Sequence, residues 1–208
     1  MTTTVKRRRG TAIVGAAAFA LSTVALAAPG GATDFEVITD CFGQPISRWT
    51  TIYVPAGSTD WVHGTSGDDV IIGTSGADRI HGEGGNDTIC AGGAEDTIYG
   101  DLGNDQIDGE GGHDILFGNE NEDEIHAGRG HDTIDAGDHR DVVFGDNGED
   151  TIYGGGGTDT LYGQDGDDEV HCGEDADGLD TDFAMGNEGY DWHNDCETWW
   201  TDDFPGPE

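Results

Sequence analysis

Twelve consecutive nine-residue units run from Gly64 to His171 without insertion or deletion. Every unit has aspartate at its sixth position and an aliphatic residue at its eighth. A fixed period of this length predicts a repeat architecture, because so small a unit can bury its apolar side only by stacking on its neighbours. We therefore expect any function to be distributed along the stack.

Each unit divides into a turn and a strand. In the unit that starts at Gly82, GEGGNDTIC, the first six residues predict a turn, and the last three predict a short strand whose aliphatic side chain points inward. Glycine occupies the first position in nine of the twelve units, and the fourth position also in nine. We expect positive φ at the fourth position, where a residue with a Cβ would be strained. Two units would then make one coil of eighteen residues.

The sixth-position aspartates are the candidate metal ligands. In an eighteen-residue coil they alternate between two sides, so that Asp69, Asp87 and Asp105 stack in one row at a spacing of about 4.8 Å. Such a row of carboxylates repels itself unless a cation lies between successive turns. Oxygen ligands in flexible, glycine-rich turns suit Ca²⁺ better than Mg²⁺, which requires a tight octahedron. We predict that calcium is bound by Asp69, Asp78, Asp87, Asp96, Asp105, Asp114, Asp123, Asp132, Asp141, Asp150, Asp159 and Asp168.

The units resemble the RTX, or hemolysin-type, calcium-binding nonapeptide; examples are GDLGNDQID from Gly100 and GDNGEDTIY from Gly145. The resemblance covers residues 64–171, with a weaker echo at residues 186–191. It implies an all-β fold, a right-handed parallel β-roll, with Ca²⁺ held between turns by the sixth-position aspartates and main-chain carbonyls. The chain departs from the pattern at the fourth position of three units, which is occupied by Ala94, Asn121 and His139.

The first 27 residues predict a cleaved signal peptide. Residues 6–9 are basic, residues 11–27 are apolar and rich in alanine, and Ala25-Leu26-Ala27 is a small-residue cleavage site. A membrane anchor is the alternative, but the apolar run is near the short limit for a bilayer span. We therefore expect a secreted, extracellular protein that does not stay in the membrane, exported by the general or the twin-arginine route.

Charge limits the partners of the mature chain. Cleavage after Ala27 would leave 44 acidic residues against 4 basic ones, a net charge of −40. Nucleic acids and anionic membranes would repel such a chain. High net charge and a thin aliphatic core also predict disorder without metal. We therefore expect calcium binding to drive folding, as metal binding does in small metal-dependent domains.

The segments on either side of the repeats are predicted to cap the ends of the roll, because an open stack leaves unpaired strand edges. Residues 49–54 predict a strand before the repeats, ended by Pro55, and Trp192, Trp199 and Trp200 could cover the last coil. The same aromatic residues could instead form a carbohydrate or partner site. The predicted division of the chain is a signal peptide over residues 1–27, an N-terminal cap over 28–63, a calcium-binding roll over 64–171 and a C-terminal cap with a degenerate repeat over 172–208.

The mature chain contains four cysteines, and an even number in an exported protein favours disulfides. Three pairings are possible. Cys90 and Cys172 would be separated by roughly 20 Å along the roll, beyond the reach of a disulfide, so that pair is excluded. We expect Cys41 to pair with Cys90 and Cys172 with Cys196, which would fasten one cap at each end. A metal site is less favoured, because no Cys-x-x-Cys motif occurs.

Histidines and aromatic residues also recur at a spacing of eighteen. His113 and His131 would stack on adjacent coils; a transition-metal site is one interpretation, and solvated turn residues are the favoured one. The same spacing in Tyr99 and Phe117, and in Phe144 and Tyr162, predicts packing ladders.

Catalytic motifs are not recognisable in the sequence, and we expect no enzymatic activity. A second hypothesis is a surface adhesive or matrix protein, in which calcium stiffens a scaffold that binds a cell-surface or matrix partner. Its test is calcium-dependent binding of wall polymer or of a second copy of the chain.

Overall fold

The computed structural model describes most of the repeat region and parts of both flanks, namely residues 40–44, 50–173, 182–188, 192–194, 196 and 198–201. The predicted signal peptide, residues 1–27, lies outside the described residues. The residues that the structure describes contain no helix that could span a membrane.

The described residues form two parallel β-sheets. Successive strands alternate between the sheets, so each strand pairs with the strand two places further along the chain. The nine-stranded sheet contains, in order, β1 (Thr50–Tyr53), β3 (Asp69–Thr74), β5 (Thr88–Gly92), β7 (Gln106–Asp108), β9 (Glu124–His126), β11 (Val142–Phe144), β13 (Thr160–Asp165), β15 (Phe183–Glu188) and β17 (Thr198–Thr201). The eight-stranded sheet contains β2 (Val62–His63), β4 (Arg79–His81), β6 (Thr97–Leu102), β8 (Ile115–Glu120), β10 (Thr133–Asp138), β12 (Thr151–Gly156), β14 (Glu169–His171) and β16 (Trp192–Asn194).

The register of the sheets has a period of eighteen residues. Ile98 pairs with Leu116, and Leu116 pairs with Ile134. One coil therefore consists of two units, and the predicted all-β parallel β-roll is confirmed. The first coil comprises residues 64–81, and later coils follow at the same interval.

Strand length differs from the prediction of three residues per unit. Several strands, such as Thr97–Leu102 and Ile115–Glu120, have six residues. They continue into the first three positions of the next unit, where Asp101 pairs with Asn119. The sequence pattern does not reveal this extension, because these turn positions pair through the main chain and need no apolar side chain.

The core is a single aliphatic column between the two sheets. All twelve eighth-position side chains are fully buried: Ile71, Ile80, Ile89, Ile98, Ile107, Leu116, Ile125, Ile134, Val143, Ile152, Leu161 and Val170. The same cluster also contains Val54, Ala91, Ala127, Ala136, Cys172 and Ala184. Burial of these side chains is the main favourable contribution to folding that does not depend on metal.

Disulfides fasten both ends of the roll with the predicted pairing. Cys41 is bonded to Cys90 with a Cα–Cα distance of 5.7 Å, and Cys172 to Cys196 with a Cα–Cα distance of 5.1 Å. The predicted strand before the repeats is present as β1. The side chains of Trp192, Trp199 and Trp200 lie outside the described part of the structure, although their backbones are in β16 and β17.

The stack continues beyond the twelfth unit after an insertion. Asp159 donates its main-chain N–H to Asp182 Oδ1, a separation of 23 residues instead of eighteen. Ala184, two residues later, is fully buried in the core column. Strand β16 follows the sequence echo at residues 186–191 and pairs with β14. Asp182 was not predicted from the sequence, because the insertion places it outside the constant nine-residue spacing.

Candidate metal centre

The twelve sixth-position aspartates form two buried rows, one on each side of the roll. The first row contains Asp69, Asp87, Asp105, Asp123, Asp141 and Asp159, and the second contains Asp78, Asp96, Asp114, Asp132, Asp150 and Asp168. Every side chain is at most 3% exposed. The predicted alternation between two sides is therefore confirmed, and each row places like charges at the spacing of the coils.

Within each row, one carboxylate oxygen is held by the preceding coil. The main-chain N–H of Asp87 donates to Oδ1 of Asp105, and the N–H of Asp105 donates to Oδ1 of Asp123. The same bond recurs along both rows with distances of 2.7–2.9 Å. These bonds fix the side chains and leave the second oxygen, Oδ2, in a defined place.

Oδ2 is buried without a hydrogen-bond partner in eight successive units of the described chain, at Asp87, Asp96, Asp105, Asp114, Asp123, Asp132, Asp141 and Asp150. A buried carboxylate oxygen without a partner destabilises a fold strongly, and native structures contain few of them. Eight such oxygens at equivalent positions indicate that a ligand or cation, repeated along the rows, would supply the missing partner of each oxygen.

In the units with glycine at the first position, a second oxygen atom approaches the site from the next coil; Asp96, Asp132 and Asp141 belong to units that begin with Ala91, Ala127 and Ala136. A Cβ on Gly82 would stand 2.6 Å from Asp87 Oδ2 and 2.5 Å from the carbonyl oxygen of Gly100. A Cβ on Gly145 would likewise stand 2.8 Å from Asp150 Oδ2 and 2.7 Å from the carbonyl oxygen of Gly163. First-position glycine thus keeps a space towards which a carboxylate and a main-chain carbonyl from adjacent coils converge.

These donors fit a hard cation. Among the described residues, no three His, Cys, Asp or Glu side chains gather into a metal-binding group. A metal would therefore take its ligands from carboxylates together with main-chain carbonyls. Oxygen-only donors in a flexible turn suit Ca²⁺, which accepts six to eight oxygens.

Burial also raises the pKa values of the row aspartates. The pKa of Asp87, Asp105 and Asp141 rises from 3.8 to about 7. The pKa of Asp96, Asp123 and Asp150 rises to about 8. Loss of hydration is the main cause and neighbouring carboxylates add to it, while the main-chain N–H bond acts in the opposite direction. Without metal, the rows therefore favour protonation, and ionising them destabilises the roll.

Fourth-position residues adopt left-handed geometry in nine of the twelve units, as predicted. The non-glycine residues Ala94, Asn121 and His139 have φ of 76°, 84° and 89°. Close stacking gives glycine a further role that the sequence analysis missed. A Cβ on Gly130 would overlap the carbonyl oxygen of Gly112 in the preceding coil.

Second-position residues are also left-handed in ten units, and this was not predicted. The set includes six residues with side chains: Glu83, Asp101, Glu110, Asn119, Asp146 and Gln164. Thr65 and Thr74, at the second positions of the first coil, do not have positive φ. A β-branched residue strongly disfavours that region. The presence of threonine in these two units was therefore a signal available in the sequence.

Fifth-position side chains form another set of bonds between coils. Asp68 Oδ1 accepts the N–H of Asn86, and Asn86 Oδ1 accepts the N–H of Asn104. On the other side, His113 Nδ1 accepts the N–H of His131 at 2.8 Å. The sequence analysis favoured solvated turn residues here; these side chains are exposed, but they also carry a structural bond.

Ring ladders occur where the sequence predicted them. Tyr99 and Phe117 stack with their ring centroids 4.5 Å apart, and Phe144 and Tyr162 with theirs 4.9 Å apart. The rings of His113 and His131 are parallel at 5.1 Å. Because stacked rings cover one another's faces, these ladders stabilise neighbouring coils.

Comparison with known families agrees with this geometry. Five overlapping segments match the family described as RTX calcium-binding nonapeptide repeat (4 copies), at residues 57–89, 81–116, 91–125, 117–152 and 144–179. Together they cover more than half of the chain. No curated protein matches it. The chain belongs to the family of RTX calcium-binding nonapeptide repeat proteins.

Proposed function

We propose that this protein is a secreted, non-enzymatic calcium-binding protein whose roll folds, or completes folding, when Ca²⁺ binds along the two aspartate rows. The observation that carries the proposal is the run of buried Oδ2 atoms without partners from Asp87 to Asp150. One cation near each oxygen would neutralise charge and supply the missing interaction at the same time.

Calcium binding would then contribute directly to folding. Each occupied site contributes about 2.7 kcal/mol when free Ca²⁺ is a hundredfold above its dissociation constant. Several sites acting together could outweigh the mutual repulsion of a chain with a formal charge of −36 before signal cleavage. Extracellular calcium modules bind at roughly 10⁻⁴ to 10⁻³ M, so folding would follow export.

Secretion is supported by two separate features. The two disulfides favour an oxidising compartment. Residues 1–27 have the composition of a signal peptide. We propose that removal of this segment releases the mature chain, which begins at residue 28.

A calcium titration of the mature chain tests the proposal. Circular dichroism, hydrodynamic radius and titration calorimetry should be measured together, first in chelator and then with increasing Ca²⁺. We expect millimolar Ca²⁺ to produce a β-sheet signal and a smaller radius, and Mg²⁺ at the same concentration to produce neither. Identical spectra and radii with chelator and with Ca²⁺ would overturn calcium-induced folding.

A calcium-stiffened adhesive or matrix scaffold is the second candidate. Its support is a set of exposed apolar side chains. Ile115 and Tyr153 lie on the outer face of the eight-stranded sheet and are 42% and 41% exposed, and Trp61, just before β2, is 39% exposed. This hypothesis predicts calcium-dependent retention of wall polymer or of a second copy of the chain. Equal retention with chelator and with Ca²⁺ would exclude it.

A further inference from the structure

The first coil, residues 64–81, differs from the coils that follow it in the hydrogen bonding of its two aspartates. Asp69 Oδ2 accepts the main-chain N–H of Thr65 at 2.6 Å, and Asp78 Oδ2 accepts the N–H of Thr74 at 2.6 Å. In the eight units from Asp87 to Asp150, the equivalent oxygen has no partner among the described residues. The first coil thus satisfies with hydrogen bonds the Oδ2 atoms that later coils leave open, although Oδ1 of Asp69 is buried there without a hydrogen-bond partner.

The second-position residue explains the difference. Thr65 and Thr74 keep out of the left-handed region, whereas the second positions of the next ten units, from Glu83 to Gln164, all have positive φ. None of those ten residues is β-branched. Because a β-branched side chain disfavours positive φ, threonine holds the turn in the form that directs its N–H to the carboxylate.

Each threonine hydroxyl reinforces this closed form of the turn. Thr65 Oγ1 donates to the carbonyl of Gly67 and accepts the N–H of the same residue, at 3.2 and 3.3 Å. Thr74 makes the same two bonds with Gly76, both at 3.1 Å. Threonine is therefore held through its side chain as well as through its backbone preference.

From these observations we infer that the calcium ladder begins at the second coil: Oδ2 of Asp69 and of Asp78 accepts a hydrogen bond instead of binding Ca²⁺, and the second-position residue decides whether a unit binds metal through this oxygen. The inference rests on the proposed function, since it assumes that the interior carboxylates are ligands. It narrows the prediction that all twelve sixth-position aspartates bind calcium to the units from the second coil onward.

Contacts around the first coil can hold the N-terminal end of the roll together without bound metal. The ring of Trp61 packs against His81 with centroids 4.7 Å apart, and the guanidinium of Arg79 lies 5.9 Å from the Trp61 ring centroid. Val54 is buried in the core cluster, and Cys41 is bonded to Cys90 in the second coil. This end of the roll is therefore held by packing contacts and by a disulfide to the second coil, neither of which requires metal.

Paired amide variants of the mature chain test the inference. In Asp69→Asn with Asp78→Asn, each amide oxygen can still accept the threonine N–H. In Asp87→Asn with Asp96→Asn, the amide oxygen must take the N–H of Asp69 or Asp78, which leaves an amide nitrogen at the open position. Bound calcium is counted by native mass spectrometry, and the folding midpoint is measured by circular dichroism during Ca²⁺ titration.

We expect the Asp69/Asp78 variant to bind as many ions as the parent with an unchanged midpoint. The Asp87/Asp96 variant should bind fewer ions, with a midpoint about tenfold higher, because it loses charged ligands. If both variants lose the same number of ions, the inference is wrong although calcium binding stands. If the parent chain binds no calcium, the proposed function itself fails.

A second pair of variants tests the second position without touching an aspartate of the rows. Glu110→Thr introduces a β-branched residue where φ is 61°, and Glu110→Gln is the matched control that removes the same charge. We expect Glu110→Thr to bind fewer calcium ions than Glu110→Gln. Equal stoichiometry in the two variants would show that the second-position residue does not control binding.

Discussion

The aliphatic column and the two aspartate rows are equally buried, yet they contribute to stability in opposite ways. Ile107 and Asp105, two residues apart in one unit, are 0% and 1% exposed. Burial of the isoleucine removes apolar surface from water and is favourable with or without a bound ion. Burial of the carboxylate is unfavourable unless a proton or a cation neutralises it.

This difference explains how one repeat can encode a fold whose stability depends on neutralisation of its buried carboxylates. We expect the column alone to give the roll little stability, because each unit contributes only one large aliphatic side chain. The buried carboxylates of the rows oppose folding when they are ionised, and under the proposed function calcium would remove this opposition. Under the proposed function, the roll would combine a hydrophobic core that does not depend on metal with carboxylate rows that do, and the two should respond differently to pH and to mutation.

The largest expected effect is that of pH on the metal-free roll. Six of the row aspartates have folded pKa values of about 7 to 8, and Asp114 has one of about 6, above their ordinary value of 3.8. Their protonation therefore stabilises the folded state fully below about pH 4, and this contribution is lost as the pH rises through about 8. We expect metal-free protein to lose on the order of several kcal/mol of folding free energy across this range.

The β-sheet signal of dialysed, metal-free protein is measured by circular dichroism at several pH values, with urea unfolding at each pH at which the signal persists. The calcium-loaded protein is the control, and its stability should instead increase over the same range because calcium competes with protons for the carboxylates. A metal-free roll that becomes more stable with rising pH would contradict the charge balance proposed for the rows.

Truncation in the aliphatic column should be the next largest effect. Ile125→Ala removes a fully buried side chain, and we expect it to lower the free energy of unfolding of the calcium-loaded roll by about 2–5 kcal/mol. Leu102→Ala is the control: Leu102 is 57% exposed, so its loss should cost less than about 0.5 kcal/mol. Similar losses for the two variants in urea unfolding would mean that the column is not the hydrophobic core of the roll.

Neutralising one row aspartate should distinguish the contribution of the rows to stability from that of the aliphatic column. In Asp123→Asn the amide oxygen keeps the bond from the N–H of Asp105, but a buried charge is lost. We expect the calcium midpoint to rise about tenfold, roughly 1.4 kcal/mol, while the metal-free roll becomes more stable at neutral pH.

The control for Asp123→Asn is Glu95→Gln, which removes the same charge from an exposed position. It should leave both quantities nearly unchanged. Calcium titrations and metal-free urea unfolding of the two variants decide the matter. If Asp123→Asn weakens the metal-free roll as much as the loaded one, the rows act as an ordinary polar core.

The smallest expected effect concerns the exposed bonds between fifth positions. Asn86→Ala removes the acceptor for the N–H of Asn104, and we expect a loss of about 0.5–1 kcal/mol, equal with and without calcium. Asn86→Asp keeps an acceptor, as Asp68 does one coil earlier, and should retain most of that stability. A calcium-dependent difference between these variants would place the fifth position in the metal site.

The sequence by itself determined the period, the two-unit coil, the buried column and the positions of the aspartate rows. These follow from spacing: an aliphatic residue every nine positions must form a column if two units make one turn. Spacing and disulfide geometry together also led to the pairing of Cys41 with Cys90 and of Cys172 with Cys196, which the structure confirms.

Only the tertiary structure decided how each carboxylate is held and which oxygen stays open. The bond from one aspartate N–H to the next Oδ1 joins residues eighteen apart, and its geometry depends on the stacking of main chains. The closed turns at Thr65 and Thr74, and the place of Asp182 after an insertion, depend on local backbone conformation. A residue pattern records which side chains recur, whereas φ, coil spacing and hydrogen-bond direction are set when the coils pack together.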